Sequence, residues 1–151
     1  MTSDLQNKVA LVTGASRGIG RGIALELAAA GCDLLLAARD RDALEASAQS
    51  IRSLARRAEI HGADLRGDGE PAQLASLAKD RFGRLDILVN NAGANRRGDF
   101  FALTDADWAV GFDLKFFAQV RLCREAWPLL KEAGGSIVAI AGIGGRAPVA
   151  K

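Results

Sequence analysis

The chain of 151 residues contains no tyrosine and one histidine, His61. These absences remove most choices for a general acid or base working near neutral pH. Cysteine is scarce as well. Cys32 and Cys123 lie far apart and lack the spacing of metal ligands, so no metal site is expected and both read as buried, reduced thiols of a cytoplasmic protein. An excess of one charge is missing too. Twenty basic residues face eighteen acidic ones, a net charge of +2. That balance argues against nucleic acid or an anionic membrane surface as a partner. No apolar run reaches the ~18 residues of a membrane helix. The polar start Met1-Thr2-Ser3-Asp4-Leu5-Gln6-Asn7-Lys8 has neither a signal-peptide core nor transit-peptide character. Repeats, low-complexity tracts and linkers are absent.

What is present suits one domain, residues 1–151, with 49% apolar residues to build its core. The most informative segment is Thr13-Gly14-Ala15-Ser16-Arg17-Gly18-Ile19-Gly20, placed directly after the apolar run Val9-Ala10-Leu11-Val12. A strand here breaks into a glycine-rich turn and opens a helix, the order that a phosphate-binding βα unit requires. Gly14 permits the sharp turn, Gly18 the close approach of a pyrophosphate, and Gly20 tight packing of helix on strand. The first helical turn offers unpaired N–H groups and a positive dipole end to an anion.

Strand-like and helix-like segments alternate along the rest of the chain. Strands are predicted at 8–13, 33–38, 58–62, 85–90 and 136–141. The helix over 18–30 is expected to bury Ile19, Ile23, Leu27 and Ala30 and to end at Gly31. A second helix over 40–57 takes Asp40 as its N-cap and Leu44, Ser47, Ala48, Ile51 and Leu54 as its inner face. A third opens at Asp68 or Gly69 with Pro71 in its first turn and Leu74, Leu77 and Ala78 inside. Thr104 caps a long helix with Asp105 and Asp107 in its first turn, broken near Gly111 and running to about Glu132. Near-continuous apolar strands suit a parallel sheet covered on both faces. The predicted fold is α/β: a doubly wound, mostly parallel, Rossmann-like sheet of about five strands. The basic cluster Arg52, Arg56 and Arg57 is expected to face solvent at a helix end.

Several positions at strand ends carry chemistry. In a dinucleotide fold the end of the second strand meets the adenosine ribose, where an acid selects NAD and a base accepts the 2′-phosphate of NADP. Here the residues are Ala37-Ala38-Arg39-Asp40. Arg39, with Arg17, puts two guanidinium groups where a phosphate would sit, which favours NADP(H) over NAD(H); the alternative is two solvated arginines. Asp64-Leu65 follows the third strand, where a carboxylate could bond an adenine amino group or simply belong to a polar loop. His61 reads as a structural or surface histidine. Asn90-Asn91-Ala92-Gly93 ends the fourth strand with amides able to bridge strands and small residues that leave room for a ligand.

With the loop at 13–20, Asp64-Leu65 and the Asn-Asn-Ala-Gly run at 90–93, joined by Trp108 and Gly135-Ser136-Ile137-Val138, the chain resembles the short-chain dehydrogenase/reductase family over essentially its whole length. The resemblance implies a nicotinamide cofactor and hydride transfer between a carbonyl and an alcohol. By carry-over, Gly14, Ser16, Arg17, Gly18, Ile19 and Gly20 would hold the pyrophosphate and adenosine phosphate, and Arg39 the 2′-phosphate. Asp64 and Leu65 would flank adenine. Asn91, Ala92 and Gly93 would line the ribose side, with Asn90 tying the central strands.

The same resemblance marks departures. The family's chemistry uses a tyrosine, a lysine four residues later, a serine and a helical asparagine. The tyrosine and lysine would fall a few residues beyond Lys151, which is not itself assigned that role. Gly142 stands at the usual serine position, and Asp113 is read at the usual asparagine position. The family's fold also continues past the fifth strand. The domain is therefore expected to be incomplete at its C-terminal end, where Pro148-Val149-Ala150-Lys151 carries no helix signal. Phe112, Phe116, Phe117, Val120 and Trp127 are expected as exposed apolar surface, and the full-length protein as a homo-oligomer. The alternative to an oxidoreductase is a non-catalytic nucleotide-binding or sensing module, because tyrosine is absent and Gly142 replaces serine.

Overall fold

The computed structural model describes residues 5–93 and 98–142. The segments Met1–Asp4 and Pro148–Lys151, read above from sequence, lie outside the described residues. Five strands, β1 (Val9–Thr13), β2 (Asp33–Ala38), β3 (Ala58–Gly62), β4 (Ile87–Asn90) and β5 (Ser136–Ala139), form one parallel sheet in the order β3-β2-β1-β4-β5. Helices α1 (Gly18–Ala29), α2 (Arg41–Arg52), α3 (Glu70–Phe82), α4 (Asp105–Phe112) and α5 (Ala118–Ala133) connect them. From β1 the chain winds one way to β2 and β3, then returns to β4 and β5 on the other side. The direction of winding reverses between β1 and β4, and the crevice at that reversal opens at the carboxyl ends of the strands.

Alternation along each strand builds two cores. Ala10, Val12, Leu34, Leu36 and Val89 pack with Ala24 and Ala28 of α1 and Leu44, Ala48 and Ile51 of α2. Leu11, Leu35, Ala37 and Leu88 pack on the opposite face with Leu74 and Ala78 of α3 and Leu122, Ala126 and Leu130 of α5. Each fully buried leucine contributes about 1.5–3 kcal/mol relative to exposure, which is why these strands read as unbroken apolar runs.

The inner face of α1 departs from expectation. Gly20, Ala24 and Ala28 are its buried residues, while Ile23 and Leu27 are only half-buried and Ile19 is 67% exposed. The helix lies so close to β1 that only small side chains fit between them, and the larger ones are displaced to the flanks. The α2 helix stops at Arg52, five residues before the predicted end. Ser53 caps it and Ala55, at φ 58°, reverses the chain. Leu54 is therefore exposed. The arginine cluster does more than face solvent. Arg52 donates to the carbonyl of Ala58, Arg56 to that of Gly31, and Arg57 to that of Arg81 while lying over the Phe82 ring. Main-chain oxygens at turns and helix ends need such donors.

Asp40 caps α2 by accepting from the Ala43 N–H at 3.0 Å, as predicted. Thr104 and Asp107 form the reciprocal cap of α4. The predicted break near Gly111 falls slightly later. Asp113–Phe117 form one wide π turn that joins α4 to α5. Phe112, Phe116, Phe117 and Trp127 are exposed as expected and Val120 is half-buried; every residue of β5 is exposed. Cys32 is buried, and burial pushes its thiol up to about 11. Cys123 is only half-buried.

Candidate dinucleotide site

A groove of about 840 Å³ lies over the carboxyl ends of the strands at the winding reversal. It is lined by Gly14, Ser16, Arg17, Gly18 and Ile19 after β1, Arg39 and Asp40 after β2, Asp64 and Leu65 after β3, and Asn91, Ala92 and Gly93 after β4. The sequence-derived residues from four separate segments thus meet in one place. Gly20 is not a lining residue but is buried against the Gly14 carbonyl and the Asn91 amide. Ala38, Ala63 and Leu114 also line it and carried no signal of their own in the sequence.

The glycine turn is fixed by contact with the end of β4. A Cβ on Gly20 would collide with the Gly14 carbonyl oxygen and the Asn91 amide. One on Gly14, at φ 66°, would lie 2.8 Å from Asn91 Nδ2 and 3.0 Å from Ala92 Cα. Gly18 is the opposite case, since nothing stands within 4 Å of its Cβ position, leaving space for a bound group.

The β1 and β4 ends are joined by side chains. Asn91 Nδ2 donates to the Thr13 carbonyl at 3.0 Å and to the Gly14 carbonyl at 3.3 Å. Thr13 Oγ1 donates to the Val89 carbonyl and accepts from the N–H groups of Asn91 and Ala92. The role given to Asn90 from the resemblance therefore falls to Thr13 and Asn91. The Asn90 side chain turns to α5, where Nδ2 meets Cys123 Sγ at 3.4 Å, and its main-chain oxygen accepts from the Ile140 N–H just past β5.

α1 and α5 carry no acid in their first turns, but α5 continues directly from the π turn, so α1 alone opens freely at its N-terminus beside the groove. Helices α2, α3 and α4 each place an acid in their first turn; α1 places none, and its N-cap Arg17 makes no side-chain capping bond. Its N-terminal N–H groups and dipole therefore face the groove uncompensated. Arg17 and Arg39 are exposed beside it, and their side chains make no hydrogen bond or ion pair among the described residues. Such a site fits a phosphate-bearing ligand. Asp64 is differently placed from the expected open acceptor. The Arg66 side chain grips both its carboxylate oxygens, with contacts of 2.6–3.2 Å, and the Arg66 N–H adds a third donor. These bonds hold Asp64 well below the usual carboxylate range, at about 2, with Arg39 adding to the effect.

The remaining predicted residues are accounted for by local bonds. His61 Nε2 and Glu70 Oε2 lie 2.7 Å apart, joining β3 to the start of α3. Asp113 does not line the groove; its carboxylate accepts from Arg121 at 2.9 Å. Asp86, outside the site, is buried at the opposite end of the sheet and bound by Val9 N–H, Lys8 and Arg84.

The profile of the family described as short chain dehydrogenase matches residues 8–151. An uncharacterized oxidoreductase of Mycobacterium tuberculosis is 40% identical over 144 residues, covering 94% of this chain and 55% of that protein. Among solved structures, L-sorbose reductase from Gluconobacter frateurii, complexed with NADPH and L-sorbose, superposes with a TM-score of 0.94, and a protein of Sinorhizobium meliloti described as a putative short-chain alcohol dehydrogenase with 0.92. The sorbose reductase is 32% identical and is matched over 99% of this chain and 57% of its own. Carveol dehydrogenase from Mycobacterium avium, in complex with NAD, gives a TM-score of 0.89 at 27% identity, over 95% of this chain and 57% of that one. The chain thus spans a little over half the length of these relatives. With its parallel sheet, its glycine turn and the family match over nearly all its residues, the chain belongs to the short-chain dehydrogenase/reductase family.

Proposed function

We propose that the protein is an NADP(H)-dependent oxidoreductase that transfers hydride between a carbonyl and an alcohol on a small-molecule substrate. The observation that carries the reading is the pair Arg17 and Arg39, whose side chains make no hydrogen bond or ion pair among the described residues, beside an α1 N-terminus that carries no acid. Two guanidinium groups and unpaired N–H groups suit a ligand with both a pyrophosphate and a 2′-phosphate. In this reading Gly14, Ser16, Arg17, Gly18 and Ile19 surround the pyrophosphate, with Gly20 packed against the turn, and Arg39 takes the 2′-phosphate. Asp64 and Leu65 flank adenine, the Asp64 carboxylate being committed to Arg66. Asn91, Ala92 and Gly93 line the ribose side. When bound, the nicotinamide supplies or accepts the hydride; the chain's own residues bind and orient it.

A second reading, a nucleotide-binding or sensing module without turnover, draws on Gly142 and on the lack of tyrosine in the 151 residues. The two readings agree on binding and part on turnover. Oxidation of NADPH by a panel of ketones and aldehydes supports the first; tight binding with no turnover in the whole protein supports the second.

Cofactor choice is tested by calorimetry with NADPH and NADH on the wild type and on Arg39→Ala. Loss of a charge-assisted contact costs about 1.5–3 kcal/mol, so NADPH should weaken by at least about tenfold while NADH changes little. Equal weakening of both cofactors refutes the 2′-phosphate role.

A further inference from the structure

Within that reading, we propose that Lys115 is a specificity-determining residue whose ammonium stands at the nicotinamide end of the groove and favours the reduced, uncharged ring over the cationic oxidised one. The proposal rests on where the chain places Lys115. Gly93 lines the groove, and a Cβ built on it would lie 3.2 Å from Lys115 Cε and 3.5 Å from Cγ. The lysine stem therefore runs across Gly93, a residue of the groove wall, and occupies the space a side chain there would need.

Topology gives that part of the groove its identity. Phosphates belong at the α1 N-terminus, above β1. Arg39 and Asp64 place the adenosine half over β2 and β3. The other half must then run the opposite way from β1, over β4, whose continuation is Asn91–Gly93.

The π turn decides which side chain of α4–α5 arrives there. Residues two apart on a helix do not face the same way, and a widened turn shifts the register further. Asp113 consequently points to Arg121 at 2.9 Å, while Lys115 reaches Gly93. Among the described residues, the Lys115 side chain makes no hydrogen bond or ion pair. A nearby cation raises the energy of a pyridinium ring and leaves a neutral dihydropyridine nearly untouched.

Calorimetric titration of the protein and of Lys115→Met and Lys115→Arg with NADPH, NADP+ and 2′,5′-ADP tests this. The adenosine fragment never meets Lys115, so its Kd should be the same in all three proteins. In Lys115→Met the Kd ratio of NADP+ to NADPH should fall by roughly threefold or more, and Lys115→Arg should restore it. An unchanged ratio in Lys115→Met, with 2′,5′-ADP still bound, overturns the inference while leaving the function reading intact. A wild type that binds none of the three ligands overturns both.

Discussion

Asn91 Nδ2 donates at 3.0 Å to the carbonyl of Thr13, while the Thr13 hydroxyl accepts from the Asn91 main-chain N–H at 2.9 Å. This reciprocal pair closes the gap between β1 and β4 just below the groove. It also presses the Asn91 amide against both glycines of the turn. Asn91→Ala removes the amide bonds to Thr13 and Gly14 and should cost about 1–3 kcal/mol of stability. Because the amide supports the turn, NADPH affinity should drop as well. Urea unfolding and calorimetry on the same variant check both effects; unchanged binding would show that the turn holds its shape without Asn91.

Gly20 offers a sharper test of the close approach. Gly20→Ala puts a methyl group into the Gly14 carbonyl and the Asn91 amide. Overpacking of this kind costs about 1–3 kcal/mol, and here the displaced atoms belong to the phosphate turn. The expected result is a lower urea midpoint together with weakened NADPH binding. Gly22, on the same helix with open space around it, is the control: Gly22→Ala should leave affinity unchanged and stabilise the helix by about 1 kcal/mol.

Asp86 governs a different property. Burial alone would raise its pKa, but hydrogen bonds from Arg84, from the Val9 N–H and from Lys8 outweigh that and hold it below the ordinary value. A carboxylate depressed in the native state stabilises the fold above its unfolded pKa, and the contribution is lost as pH falls through its native pKa. Stability should therefore decline below about pH 4. Asp86→Asn should lose about 2–3 kcal/mol at pH 7 and show a shallower decline in acid, with the residual slope owed to Asp64, whose pKa lies at about 2. Urea midpoints measured from pH 7 to pH 2 give both numbers. Since Asp86 lies at the far end of the sheet from the groove, NADPH affinity per folded molecule should not change.

Much of this was legible in the residues, for identifiable reasons. The strands are buried on both faces, so runs such as Leu34-Leu35-Leu36 announce themselves, and β3 was bounded correctly at both ends. The capping residues Asp40 and Thr104 act locally and so show in a short window. The inner face of α1 is hidden from the sequence because helical periodicity points to large apolar residues, whereas the close contact with β1 admits only Gly20, Ala24 and Ala28. The end of α2 is not visible in the sequence because a positive φ at Ala55 has no mark in its side chain. The π turn has no residue signature either, so the resemblance points to Asp113, whereas the fold turns Asp113 to Arg121 and brings Lys115 against Gly93. Arg66 clasping Asp64, two residues away, could have been anticipated from sequence. The bonds of Thr13 to Asn91 and Ala92 depend on two strands 76 or more residues apart meeting edge to edge.

The most direct test of the central claim is calorimetric titration of the protein with NADPH. The account predicts saturable binding with one dinucleotide per chain, competed by 2′,5′-ADP and strongly weakened by Arg39→Ala. A well-folded sample that binds neither NADPH nor NADH would contradict it.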